Sequence, residues 1–205
     1  MLSSQPINTF DDFESYIKSF NYSMINKIPN DFYIFILENK NKINIKLLKN
    51  RFPTNYLINE IKIIKESRNG KQASYFSSIG NLECLKYVHK NGYGLDNETC
   101  NDAAENGHLE CLKYAHKNGY DWDIWTCDFA AENGHLECLK YAHKNGCPWD
   151  EGTCNSAAEN GHLECLKYAH KNGCPWENET CNIAARNGHL ECLKYAHKNG
   201  CEWLV

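Results

Sequence analysis

Between residues 99 and 205 the apolar positions form pairs of short helical patterns, and each pair is written again 27 residues later. In the first pattern of a pair, Cys100, Ala103 and Ala104 lie at i, i+3 and i+4, which sets small residues along one helical face. In the second, Leu109, Cys111, Leu112, Tyr114 and Ala115 mark the buried side of a helix over roughly His108 to Lys117. Glu110 and Lys113 pair at i, i+3 on its wet side. Thr99 is placed to cap the first helix. Asn106-Gly107 and Asn118-Gly119 end the two helices, glycine supplying the left-handed backbone of a tight turn. The stretch Asn-Gly-His-Leu-Glu-Cys-Leu-Lys-Tyr-Ala-His-Lys-Asn-Gly occurs in full at 106–119, 133–146, 160–173 and 187–200, and a worn copy runs from Gly80 to Gly92. Helices shorter than ~12–15 residues are marginal alone in water. Units of this size are therefore expected to stack as a solenoid, each burying its apolar face against its neighbours.

Residues 1–68 follow no repeat. Thr9 with Asp12 reads as a capped helix start, and Phe10, Phe13, Ile17 and Phe20 share one apolar face. Pro29 stands near the opening of a second helix over roughly Asp31 to Glu38. Ile43, Ile45, Leu47 and Leu48 predict a third short element and Leu57 to Lys65 a fourth, with Pro53 between them. The expected fold class is all-α. It comprises an N-terminal helical unit (1–68), a degenerate opening repeat (69–98) and four units at 99–125, 126–152, 153–179 and 180–205.

The string Thr-Cys-Asn-x-Ala-Ala-Glu-Asn-Gly-His-Leu-Glu-Cys-Leu-Lys-Tyr-Ala-His-Lys-Asn-Gly is similar to the ankyrin repeat. There, Thr-Pro-Leu-His-x-Ala-Ala leads to Gly-His-x-Glu and an apolar helix closed by Asn-Gly. The resemblance implies an ankyrin-like helix-turn-helix solenoid that binds a partner protein on its concave surface. The chain departs from the pattern in replacing Pro-Leu-His by Cys-Asn or Cys-Asp after the threonine. Its period is also shorter, 27 residues against ~33. The shortening falls after the second helix, where the ankyrin hairpin projects, so turns such as Cys147-Pro148-Trp149-Asp150 predict shortened loops. A leucine-rich reading of Leu109-x-x-Leu112-x-Tyr114 fails because the required Asn or Cys is off by one and Ala-Ala-Glu-Asn has no place in it. The repeated wording, with Cys-Pro-Trp, resembles ankyrin families expanded in giant DNA viruses of amoebae (mimivirus-like), which implies a host protein as partner. Ile28 to Leu37 with Leu47-Leu48 resembles an F-box, which implies docking to a ubiquitin-ligase adaptor. The alternative for residues 1–68 is a helical cap on the open end of the solenoid.

Charge and chemistry narrow the function. A net charge of −4 and a pI near 6.1 argue against a general nucleic-acid binder. The cysteines recur once per unit in columns that are apolar in helical repeats. With no signal-peptide pattern after Met1, they read as reduced, buried residues of an intracellular protein, in host cytoplasm for a viral chain, with the nucleus as the alternative. No apolar run is long enough to cross a membrane. His108, Cys111 and His116 invite a zinc reading, yet Cys111 and His116 point about 140° apart on a helix and no Cys-x-x-Cys pair exists. No metal or other cofactor is expected. The column Trp122, Trp149, Trp176 and Trp203 reads as packing rather than a platform for bases. No nucleophile with a His/Asp partner and no Gly-rich phosphate loop is present, so the chain is not read as an enzyme.

Positions shared by all units should hold the solenoid, and positions that differ are free to read a partner. Asp102, Phe129, Ser156 and Ile183 form one varying column. Glu105, Glu132 and Glu159 form another, giving way to Arg186. Both are expected on the concave face, with Phe129 and Ile183 exposed and Trp125 nearby in a loop. The candidate partner-binding residues are thus Asp102, Glu105, Trp125, Phe129, Ser156, Ile183 and Arg186. The last unit carries Leu193 and Ala196 on a face expected to be open and to promote end-to-end self-association.

Overall fold

The computed structural model describes residues 6–20, 24, 28–51, 57–66, 71–93 and 98–202, and these form helices and turns with no strand among them. Four helices build the N-terminal unit: α1 (Phe10–Ser19), α2 (Asn30–Asn39), α3 (Ile45–Arg51) and α4 (Leu57–Glu66). Thr9 caps α1 through a reciprocal box with Asp12, whose backbone N–H donates to Thr9 Oγ1 at 3.1 Å while its carboxylate accepts from the Thr9 N–H at 3.0 Å. Phe13 and Ile17 are buried, and the Phe13 ring lies 5.2 Å from Phe32 and 4.9 Å from Phe35 on α2. Pro29 is the N-cap residue of α2, one step outside the helix, so its missing N–H costs nothing there. Pro53 lies outside the described residues.

Five helix pairs follow. The opening pair is α5 (Lys71–Ser78) and α6 (Leu82–Lys90), in the segment expected to be degenerate. The others are α7 (Glu98–Glu105) with α8 (Leu109–Lys117), α9 (Ile124–Glu132) with α10 (Leu136–Lys144), α11 (Glu151–Glu159) with α12 (Leu163–Lys171), and α13 (Asn178–Arg186) with α14 (Leu190–Lys198). One continuous core runs from Phe13 through Tyr33 and Phe76 into the repeats. The seam is also polar: Tyr87 Oη donates to Glu38 at 3.0 Å and Asn81 Nδ2 to Asn30 at 2.9 Å.

Within the repeats the core is made mostly of small residues, with Tyr120 and a buried leucine in most second helices as the larger members. Cys100, Ala103 and Ala104 and their counterparts are buried, which lets first helices approach closely. The first helices of neighbouring repeats pack more tightly than the second helices, so the stack bends with the first helices on its concave side. Gly107, at φ 73°, makes the turn between the helices. A Cβ there would stand 2.5 Å from the His135 ring of the next repeat, so glycine is needed for backbone and for space. The turns between repeats contain no strand among the described residues and are short, as expected.

Thr99 does not cap α7. It lies inside the helix, fully buried, as do Thr126, Thr153 and Thr180. Caps come from residues before the repeat motif: Asp123 Oδ1 accepts from the Trp125 N–H at 3.1 Å and Asp150 Oδ1 from the Gly152 N–H at 2.9 Å. The buried threonines instead bond backwards across repeats. Thr126 donates to Asn101, Thr153 to Asp128 and Thr180 to Asn155, the last at 2.7 Å. A second ladder joins the second helices, where His116, His143 and His170 pair through Nδ1 with Tyr141, Tyr168 and Tyr195 of the next repeat at 3.0–3.1 Å. Trp122, Trp149 and Trp176 stack on those histidines at 3.7–3.8 Å. Trp203 lies outside the described residues. Burial lowers the pKa of His116, His143 and His170, which favours the neutral ring. Glu110 and Lys113 pair at 2.7 Å as expected, and the later repeats copy the pair.

Candidate functional site

The concave surface is a grid of first-helix positions about one turn apart. Its three columns are Glu98, Trp125, Gly152 and Glu179; Asp102, Phe129, Ser156 and Ile183; and Glu105, Glu132, Glu159 and Arg186. The sequence reasoning found the second and third columns and only Trp125 of the first. The signal for the rest was available, because that column also differs between neighbouring units.

Several expected positions shift in character. Trp125 is not in a loop; Asp123 caps α9 early enough that Trp125 becomes its second residue. It is 52% exposed, and its ring stacks at 5.9 Å and 27° on Phe129 of the same helix. Phe129 is therefore half-buried rather than exposed, because Trp125 lies against it. Ile183 is also half-buried, packed on the main core. Asp102 is half-buried and accepts a hydrogen bond from Ser74 of the opening repeat. That bond ties it to the stack as well as to the surface. Glu105 and Arg186 are exposed, and Arg186 pairs with Glu179 at 2.6 Å. Ser156 is half-buried on α11. Ala196 is buried and Leu193 half-buried, whereas Leu190 is 58% exposed.

Asp128 is the residue that sequence reasoning did not single out. It occupies the place of Asn101 and Asn155 in the threonine ladder, yet it carries a carboxyl that is only 6% exposed. Burial pushes its pKa up to about 6; the Thr153 hydrogen bond opposes this, and Asp150, Glu132 and Asp123 reinforce it. Beside it, Gly152 replaces the side chain that Trp125 supplies one repeat earlier. A Cβ on Gly152 would fall 2.8 Å from Asp128 Oδ2 and 2.8 Å from Asp150 Oδ1, so both carboxylates lean into the space left by the missing side chain.

The ankyrin repeat family model with many copies matches residues 100–143, and that with three copies matches residues 127–204. The chain is an ankyrin-repeat protein. Among solved structures, the human ASB11 ankyrin repeat domain matches with a TM-score of 0.56 and 18% identity, over 63% of this chain and 69% of that one. At that identity the likeness speaks for the fold alone. No curated protein sequence matches. Ankyrin repeats are in general protein-binding modules rather than enzymes.

Two further features bear on what this ankyrin stack can do. All twelve cysteines are free and buried and serve as small core residues, and burial raises the Cys111 and Cys138 thiols to about 11, so those two stay protonated. Among the described residues no group of three or more His, Cys, Asp or Glu is placed to hold a metal ion, and no helix is long and apolar enough to cross a membrane. A cleft of about 780 Å³ opens at the seam between the N-terminal unit and the first repeat, with Tyr33, Glu60, Tyr75 and Leu82 in its walls. Its buried acid, Glu60, already accepts from Tyr75. The concave face is the stronger candidate because there the otherwise identical repeats differ.

Proposed function

We propose that the concave face of α7, α9, α11 and α13 docks another protein and that the chain works as a non-enzymatic scaffold. The observation that carries this reading is Trp125, a large apolar ring held out on Phe129 at a position where the sister repeats have Glu or Gly. Exposed aromatics centred in a polar surround are the usual anchors of protein interfaces. Asp102, Glu105, Ser156, Ile183 and Arg186 surround it and set the partner's register. The repeat wording favours a host protein of an amoeba infected by a giant virus as that partner, met in host cytoplasm or nucleus. Affinity purification of the full chain from that host tests the proposal. A defined protein should co-purify with the wild type and be lost with Trp125→Ala; a partner indifferent to that change contradicts it.

A second reading rests on residues 28–65, where Leu47 and Ile63 are 51% and 46% exposed. In it the N-terminal unit recruits a ubiquitin-ligase adaptor while the repeats hold the target. Recovery of an adaptor with the full chain, lost in Leu47→Asp, supports this; recovery of a partner without any adaptor leaves the N-terminal unit as a cap. Exposed Leu190 supports a contact between copies through the last repeat, and light scattering that finds only monomer at high concentration would overturn that contact.

A further inference from the structure

Charge is segregated across the stack. The first helices and the turns leading into them, over 98–105, 120–132, 147–159 and 174–186, hold twelve carboxylates against the single cation Arg186. Each second helix of the four full repeats holds one glutamate and two lysines. The concave side is therefore strongly acidic and the convex side weakly basic, a field that draws basic segments to one face only.

Within that acidic face one spot combines three features. Trp125 offers the face of an exposed indole, backed by Phe129. The adjoining repeat has Gly152 and Ser156 where larger residues stand elsewhere in the grid, so at 152 no side chain rises beside the carboxylates of Asp128 and Asp150. Asp128 itself is more than nine-tenths buried; its Oδ1 accepts from Thr153, and no donor among the described residues reaches Oδ2, the atom beside Gly152. Asn in the same place accepts the same threonine bond in the neighbouring repeats. The ladder therefore does not require a carboxylate, and a buried one is a cost to stability that only another role would justify.

We propose that this spot takes an arginine side chain from a basic segment of the partner, the guanidinium lying flat on Trp125 and donating to Asp128 Oδ2. Arginine suits the spot because its planar, weakly hydrated cation stacks on aromatic faces and still offers in-plane donors. The inference rests on the reading of the concave face as a protein-docking surface and names the chemistry of what docks.

The test is fluorescence anisotropy of a labelled short peptide of alternating arginine and serine, titrated with the full chain at physiological salt, beside a lysine–serine peptide of equal charge. The arginine peptide is expected to bind more tightly than the lysine peptide. Its affinity should fall about fivefold or more in Trp125→Ala, the scale of one cation–π contact, and also in Asp128→Asn, while Glu137→Gln on the convex side should change little. Asn at 128 is already accepted by the sister repeats, and Trp125 is exposed, so both variants keep the fold. Absence of binding, equal binding of the two peptides, or binding that survives Trp125→Ala would overturn the arginine assignment. Selection from an unbiased peptide library separates this from the broader reading. Neutral or acidic winners that Trp125→Ala abolishes would sink the arginine assignment and leave the docking face standing. Winners rich in arginine support both.

Discussion

The N-terminal unit and the repeats solve the same packing problem with opposite materials. Residues 10–66 bury large side chains, with Phe13, Phe32, Phe35, Ile36, Leu57 and Ile61 filling an irregular space once. The repeats bury mostly cysteine and alanine, with Leu85, Leu112, Leu139 and Leu166 and the Tyr120 ring among them, and they hold register with threonine and histidine ladders repeated across the junctions. A unique core can be specified by shape alone, because each large side chain fits one place. A core of identical small residues cannot specify register in that way, since any unit could slide onto any other. Polar bonds that must be satisfied when buried do so instead. The difference leaves the repeats free to vary their first-helix surface without touching the core.

The comparison can be broken most severely in the N-terminal unit. Phe32→Ala removes a fully buried ring from a core that no neighbour duplicates and should cost about 3–5 kcal/mol, read by urea unfolding of the full chain. Loss of under 1 kcal/mol would mean that the unit is not shape-specified. The next effect has the opposite sign. Asp128 has a folded-state pKa of about 6 against an ordinary 3.8, so the folded chain holds this proton more tightly than the unfolded one. Its contribution is fully present below about pH 4, falls as pH rises through 6 and stays lost above, a swing of roughly 3 kcal/mol at most. Asp128→Asn should therefore stabilise the chain by roughly 1–3 kcal/mol at pH 7.5, and the gain should shrink toward pH 4. A pH-independent difference would contradict the burial of that carboxyl.

Two glycines sharpen the ladder half of the comparison. Gly134 and Gly146 both have positive φ, but a Cβ meets the His162 ring at 2.5 Å only at Gly134. Gly134→Ala should cost about 1–3 kcal/mol and Gly146→Ala about 1 kcal/mol, by thermal unfolding. Equal costs would show that the histidine gives way freely. The smallest effect belongs to the wet side: Lys113→Gln breaks an ion pair with exposed Glu110 and should leave the unfolding midpoint almost unchanged, with salt removing any remaining difference.

The helix pairs were legible because their determinants are local. Asn106-Gly107 stops a helix wherever it stands, and Cys100, Ala103 and Ala104 share a face at any helical spacing. What depended on a residue 25 to 28 positions away was not legible. Thr99 looked like a cap because nothing near it in sequence shows that the threonines of its column bond across the junction, as Thr126 does to Asn101. Trp125 looked like a loop residue until Asp123 proved to be the cap, and Phe129 looked exposed because stacking by Trp125 depends on that helix start. Asp128 passed as a variant of Asn, since a carboxylate and an amide fill the same ladder position and only burial separates their consequences.

Hydrogen–deuterium exchange reads the central claim directly, because the first-helix segments differ in sequence while the second-helix segments are nearly identical. With the arginine–serine peptide at saturation, residues 124–132 and 151–159 should gain protection in the full chain while the second helices stay unchanged. Protection confined to the second helices, or spread evenly over both layers, would contradict a partner-reading concave face.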